Sequence, residues 1–489
     1  MGRAQPQAAP AATRPATRPT TDPAQAARKV RQRVVQLTRK SLELIKANKL
    51  DEAEDALQEA LLLDPTHSVN LYNMACIKAI KGRADAAIDY LERSALEGFT
   101  DFIHIEKDTD LDSLRTLPRF KQFLARKDEF QRKAADRVVS WLKHEFGDGY
   151  LYEIDAQDKL IFATNTDPQT LAATKKWLVA QAQSQWNELF EHRPDQYISV
   201  VLPSPADYKQ IVSNPGVGGF YNHDNRILIC QRLGQVMTHE FTHALHNADL
   251  DPLGQEHPIW LGEGLATLYE SAQFEGKKLV PAENFRLTYL QSAVRRNRLI
   301  PLEKLFKMDQ RSFVNQANLA YGESGSLLLY LYDHDLLRKF YDAYKAGWDK
   351  EKTGQAALET ATGKPLAELE KDWRAWMAIQ KPPTLYTGQH GVVLGVRFSD
   401  ANDGLKINLV EPNGPAHRAG IKPEDLIVGI DGVDVRDQQS LIPILATHQA
   451  GDKVTVKIRR GSLYLDLPVT LTRRDEMTRV PSTRPAVRP

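Results

Sequence analysis

His239-Glu240-Phe241-Thr242-His243, followed a short loop later by Pro258-Ile-Trp-Leu-Gly-Glu-Gly-Leu-Ala-Thr-Leu-Tyr-Glu270, decides the reading of this 489-residue chain. Met237, Phe241, Leu245 and Ala248 recur at helical spacing, so the first stretch predicts an amphipathic helix. The two histidines are four residues apart and project together from another face of that helix. Neutral imidazoles so placed can both reach one Zn²⁺ at about 2.0–2.1 Å. Glu240 stands beside them as candidate general base, taking a proton from the attacking water and passing it to the leaving amine.

Two histidines leave a catalytic zinc site incomplete. A third protein ligand is needed, with one position kept for water. Glu263, 20 residues beyond His243, is the preferred candidate. Its segment predicts a helix starting near Gly262, with Glu263, Thr267 and Glu270 on one face and Leu261, Leu265, Leu268 and Ala272 elsewhere. Gly262, Gly264 and Ala266 are small enough to let the two helices approach. Thr267 and Glu270 are candidates to orient the histidines from outside the ligand set. Asp249 competes as third ligand, ten residues beyond His239 in a spacing that resembles the metzincins. That pattern wants Gly where this chain has His246, so Glu263 is favoured. His246 is expected to pack or hydrogen-bond just outside the ligands, His257 to lie at the surface and His223 in a solvated loop.

HEFTH followed by WLGEGLATLYE resembles the gluzincin clan of zinc metallopeptidases, and most nearly its bacterial peptidase MA-like members. The resemblance implies a thermolysin-like catalytic core, a small mixed β-sheet joined to a helical lobe, with one catalytic Zn²⁺ on His239, His243 and Glu263. WLGEGLA is similar to the W-x-N-E-G-x-A segment of the aminopeptidase-type members, but Gly262 replaces their Asn. The G-x-M-E-N segment, with which those exopeptidases hold a substrate amino terminus, is not found, so endopeptidase action is favoured. The resemblance also implies that Tyr321, in Tyr321-Gly-Glu-Ser-Gly325, supplies a phenol to the transition state. Gln196–Leu202 and Asn225–Cys230 read as strands around the glycine-rich loop Asn214–Asn222. That loop lacks the Lys-Ser/Thr of a phosphate loop. Arg226, Ile227, Leu228 and Ile229 are the expected edge strand for pairing with substrate backbone.

Working outward, residues 34–98 repeat at an offset of 34: Asp51-Glu-Ala53 with Leu57 returns as Asp85-Ala-Ala87 with Leu91, and Leu37 as Leu71. This resembles tetratricopeptide repeats, which implies a scaffold for a protein partner. The stretch Asp101–Arg126 is expected to cap it. Past Lys381-Pro-Pro383 the pattern turns to strands. Asn413-Gly-Pro-Ala-His-Arg-Ala-Gly-Ile421 and Asp425-Leu-Ile-Val-Gly-Ile-Asp-Gly432 look like a PDZ domain. The likeness implies that the loop Val393-Leu394-Gly395-Val396 receives a C-terminal peptide.

The expected class is therefore multidomain α+β: helical repeats (30–130), a β-containing peptidase lobe (131–235), a helical catalytic lobe (236–380), a linker (381–388) and a β-rich PDZ domain (389–475). Segments 1–29 and 476–489, rich in Pro, Ala, Thr and Arg, are expected to be disordered. About 150 residues per domain already suggests three domains. Lys+Arg 64 against Asp+Glu 63 gives a net charge of +1 and no reason to invoke nucleic acid. Two cysteines, Cys76 and Cys230, build neither a disulfide framework nor a thiolate zinc site and read as buried thiols. No apolar run suits a membrane span. The first segment lacks the apolar core of a signal peptide, leaving cytoplasm open beside the bacterial envelope or secretion after signal removal. The alternative to a peptidase is a silent scaffold that binds peptides through its two flanking modules.

Overall fold

The computed structural model describes residues 23–473 apart from 213–216, 232, 284–285, 382–391, 402–403, 436–440, 442–443, 446–447, 449 and 462. The chain divides into two units, Met1–Thr100 with Ile105–Ala134, and Asp101–His104 with Ala135–Pro489. Most of the expected linker and all of the tail after residue 475 lie outside the described residues. Among the described residues, no helix is long and apolar enough to cross a membrane.

In the first unit α1 (Pro23–Lys46) packs on α2 (Leu50–Leu63), and α3 (Ser68–Ile80) packs on α4 (Ala84–Leu96). The 34-residue offset is visible in this core: Leu37 and Leu71, Ala53 and Ala87, and Leu57 and Leu91 are all buried. The helix α1 begins at Pro23, so residues 23–29 are helical where disorder was expected. Pro suits the first helical position, and the Ala, Gln, Arg and Lys after it are good helix formers. Then come α5 (Phe102–Lys107), a 3₁₀ turn capped by Asp108, α6 (Pro118–Ala125) and α7 (Lys127–Phe146). Tyr72 donates to Asp108, and the buried thiol of Cys76 lies 3.6 Å from the same oxygen. Burial, then the charge of Asp108, pushes that thiol well above its usual range, so it stays protonated.

The second unit opens with a five-stranded mixed sheet: β1 (Leu151–Asp155), β2 (Leu160–Thr164), β3 (Ile198–Leu202), β4 (Gly219–Asn222) and β5 (Ile227–Cys230). Their order is β1-β2-β3-β5-β4. β2, β3 and β5 run parallel, and the two outer strands are antiparallel to their neighbours. α8 (Pro168–Glu188), capped by Asp167, forms the β2-to-β3 crossover, and α9 (Pro205–Ile211) follows β3. Parallel strands covered on both faces read as unbroken apolar runs, as Ile198-Ser-Val-Val-Leu202 nearly does. Phe162, Val200 and Leu228 face the main core, while Ile161, Val201, Ile227 and Ile229 pack against Ala135 and Leu142 of α7.

This order corrects the expected edge strand. β5, with Ile227, Leu228 and Ile229, is interior, and Arg226 sits in the preceding turn at φ 49°. The edge is β4, formed by the end of the segment read as a glycine-rich loop. Its glycines are there for room: a Cβ on Gly219 would lie 2.7 Å from Sγ of Cys230 and 3.0 Å from the Ile229 carbonyl.

The helical lobe follows: α10 (Gln235–Leu250), α11 (Ile259–Glu270), the hairpin β6 (Gln273–Glu275) and β7 (Lys278–Val280), α12 (Leu287–Arg295), α13 (Leu302–Phe306), α14 (Gln310–Asn315), α15 (Ala317–Asp333), α16 (Leu337–Gly347), α17 (Gln355–Thr362) and α18 (Leu366–Ile379). The last part is β-rich and includes β8 (Val392–Val393), β9 (Val396–Ala401), β10 (Gly404–Val410), α19 (Pro415–Arg418), β11 (Leu426–Ile430), β12 (Val433–Asp434), β13 (Lys453–Arg460), β14 (Leu463–Thr470) and β15 (Thr472–Arg473). Its main sheet runs β14-β13-β11-β10-β9, with β9 at an edge. Leu405, Ile407, Ile427, Val456 and Ile458 fill a separate core there.

Candidate metal centre

Helix packing brings the site together. α10 is preceded by Gly234 at a φ of 98°, and it buries Met237, Phe241 and Leu245 as its periodicity predicts. α11 starts at Ile259, three residues earlier than expected, and packs on both α10 and α15. Its contact with α15 is made at glycines. A Cβ on Gly264 would lie 3.2 Å from the Ser324 carbonyl, and one on Gly325 would lie 2.5 Å from Cγ2 of Thr267. So close a crossing carries Tyr321 of α15 to the side of Glu263.

His239, His243 and Glu263 converge. Oε2 of Glu263 is 3.2 Å from Nε2 of His239 and 3.3 Å from Nε2 of His243. All three ligand atoms lie within 4.8 Å of one another. Ligands at about 2.0–2.1 Å from a tetrahedral zinc are spaced about 3.3 Å apart, so both nitrogen–oxygen spacings match. All three side chains, and Glu240, are half-buried.

The electrostatics agree with a cation site. Burial opposes a charged His239, yet hydrogen bonds to Glu263 and Glu270 win and lift its pKa to about 10. Burial likewise opposes a charged Glu263, but His243 and His239 hold its carboxyl well below the usual range. The protein atoms alone therefore collect a proton between imidazole and carboxylate. A divalent cation in that place would meet two imidazole nitrogens and one carboxylate oxygen, a donor set that fits zinc.

Glu270 lies beside His239: its Oε2 is 3.3 Å from the ring Nδ1, and its Oε1 accepts from Arg286. Thr267 is placed differently. Its hydroxyl is buried without a hydrogen-bond partner, and its side chain fills the glycine crossing instead. Tyr321 has its ring centroid 6.1 Å from that of His239. Burial first, and then the charges of Glu263 and Glu240, push its phenol above its usual range, so it is a donor at neutral pH.

The rival ligand Asp249 is engaged elsewhere. It is fully buried, accepts the backbone N–H groups of Glu191 and His192 at 2.7 Å each, and holds Tyr341 at 2.8 Å and Lys345 at 3.1 Å. His246 points into the same aromatic cluster, its ring 5.9 Å from that of Phe190. Its Nε2 is 3.0 Å from Nδ1 of His257. His257, expected at the surface, is thus packed beside His246 and Tyr344, and burial pushes its pKa down to about 3. His223 is 44% exposed and lies 3.3 Å from Asp251. Arg286 escaped sequence reasoning, since it belongs to no helical period or spacing that points at the site, and Asp249, whose spacing suggested a rival ligand, is instead a buried anchor.

Residues 230–379 match the model of the Peptidase MA superfamily, and residues 392–471 match that of the PDZ domain. Among curated relatives, the chain is 41% identical over 73 residues to the serine protease Do-like HtrA of Lactobacillus helveticus, covering 15% of this chain and 18% of that one. It is 36% identical over 84 residues to the serine protease Do-like HtrB of Bacillus subtilis, covering 17% and 18%. The chain thus spans under a fifth of those relatives, and the similarity lies in the PDZ region. Among solved structures, an aminopeptidase N family protein from Idiomarina loihiensis aligns over 66% of each chain at 16% identity and a TM-score of 0.29. The central part of this chain accordingly carries a Peptidase MA domain and its C-terminal part a PDZ domain.

Proposed function

We propose that the chain is a zinc-dependent metallopeptidase of gluzincin type with a thermolysin-like core, acting as an endopeptidase. The observation that carries this reading is the convergence of His239, His243 and Glu263, with the Glu263 oxygen 3.2 Å and 3.3 Å from the two imidazole nitrogens; Glu240 follows His239 directly in the chain. Bound zinc would act as a Lewis acid toward the scissile carbonyl. Glu240 takes the proton of the attacking water and delivers it to the leaving amine. The phenol of Tyr321 donates a hydrogen bond to the oxygen on which negative charge develops. Glu270 holds His239 with its Nδ1–H pointed outward and its Nε2 toward Glu263.

The edge strand β4 pairs with substrate backbone. Its sequence, Gly219-Phe220-Tyr221-Asn222, carries no carboxylate to hold a substrate amino terminus, which supports endopeptidase action. The helical hairpins serve as tetratricopeptide repeats for a protein partner. In the PDZ module the loop Val393–Val396 is pinned by bonds from Ala416 N–H to Leu394 O and from Glu411 N–H to Gly395 O. Beside it, the edge strand β9 takes an added strand from a peptide C-terminus, tethering substrate near the site.

The test is Glu240→Gln in zinc-loaded protein against a peptide library. Loss of a general base should lower kcat by about 10²–10⁴ with zinc retained. Purified wild type without stoichiometric zinc, or cleavage indifferent to the substitution, rejects the mechanism.

A further inference from the structure

Arg286 precedes α12, outside both ligand-bearing helices, and the chemistry above makes no use of it. Its guanidinium pairs with Oε1 of Glu270, while the other carboxylate oxygen faces Nδ1 of His239. The same guanidinium carbon is 5.9 Å from the ring centroid of Tyr321. Glu270 is only 8% exposed, so its carboxylate has little water to turn toward. Arg presents a planar fork, which fixes the plane of a carboxylate as a point charge does not. A carboxylate so fixed accepts the Nδ1–H of His239 and leaves the Nε2 lone pair on the side of Glu263.

Resting on the zinc reading above, we infer that Arg286 is a positioning residue of the metal centre. Through Glu270 it sets the ring plane and tautomer of His239, and over the ring of Tyr321 it keeps the phenol on the same side. The metal helix and the phenol helix are then referenced to one cation supplied from a third segment.

The experiment uses the full chain, stripped of metal, with zinc affinity read by competition against a chromophoric chelator. Outer partners of this kind are worth about 10–100-fold in metal affinity. Arg286→Gln should lose zinc affinity by that factor, and Arg286→Lys by a smaller one. The double variant Arg286→Gln/Glu270→Gln should bind no more weakly than Glu270→Gln alone, because Arg286 acts through that carboxylate. Melting of the metal-free proteins checks folding independently of affinity. Wild-type affinity in Arg286→Gln, or losses that multiply in the double variant, overturns the inference. If Arg286→Gln does not fold, Arg286→Lys decides: undiminished affinity there overturns it equally. A wild type that takes up no zinc instead overturns the peptidase reading beneath it.

Discussion

Replacing Asp249 by Asn should cost stability and leave zinc binding untouched, whereas Glu263→Gln should do the reverse. Asp249 is fully buried and saturated: two backbone amides at 2.7 Å, the Tyr341 hydroxyl at 2.8 Å and the Lys345 ammonium at 3.1 Å. Asn keeps an acceptor for the amides but turns an NH₂ toward Lys345, whose side chain is only 9% exposed. Breaking a buried pair on one side costs about 3–5 kcal/mol. At about 2–4 °C per kcal/mol for a large domain, the melting temperature should fall by about 6–20 °C. The pH dependence has a definite sign. Burial raises the Asp249 carboxyl, but the amides and Lys345 outweigh it and hold it below its usual range. Its stabilisation is present above the unfolded pKa of about 3.9 and is lost as pH falls through the lower folded value. Asp249→Asn should therefore be flatter than wild type on the acid limb. Calorimetry of metal-free protein and a zinc competition titration together decide the matter. An Asp249→Asn protein that melts like wild type yet loses zinc would put Asp249 in the ligand set and refute this account.

Gly219→Ala places a methyl 2.7 Å from Cys230 Sγ and 3.0 Å from the Ile229 carbonyl, so β4 must shift at a cost of about 1–3 kcal/mol. Peptide KM should rise with zinc content unchanged; an unaltered KM argues against β4 as the substrate strand. Glu323 is buried, accepts the Ile300 N–H at 2.9 Å and has its pKa pushed up to about 8 by burial. That raised value makes its stabilisation complete below about pH 4.5 and lost as pH rises through about 8. Wild type should lose on the order of 3–5 kcal/mol across that window from this group, and Glu323→Gln should remove the slope in melts taken from pH 5 to 9. Chelation followed by dialysis should abolish cleavage and lower the melting temperature, and added zinc should restore both, since zinc binds only the folded site. A chelated protein that still cleaves peptides contradicts the zinc assignment.

The convergence of the candidate ligands was legible because a helix converts spacing into geometry. Residues four apart share a face, so His239 and His243 needed no tertiary information. Glu263 and Glu270 were legible for the same reason, being seven apart on one helix. Thr267, between them, was not: which of three neighbouring positions meets His239 depends on how α11 crosses α10 and α15, and that crossing is set by Gly264 and Gly325. The edge strand was misplaced because glycine depresses strand propensity, while at Gly219 it answers a packing demand from Cys230, Val236 and Ile229. Asp249 shows the limit of spacing arguments. Its partners come from the loop after α8 and from α16, contacts that no local pattern encodes. The 34-residue offset is visible in the first unit because its helices pack mainly on their sequence neighbours, and the PDZ region was legible from its turn and strand pattern.

The contact between α11 and α15 has a mechanical meaning. Helices held apart by side chains have some play, because those side chains exchange rotamers on the picosecond-to-nanosecond scale. At Gly264 and Gly325 one of the two spacers is missing: across from the glycines lie Leu328 and Ser324 on one side and the side chain of Thr267 on the other. The separation of α11 and α15 is then set there by one layer of side chains instead of two. In the proposed peptidase, a crossing this tight would hold Glu263 and the phenol of Tyr321 at one separation, and tolerance for different substrates would come from the edge strand and the outlying modules.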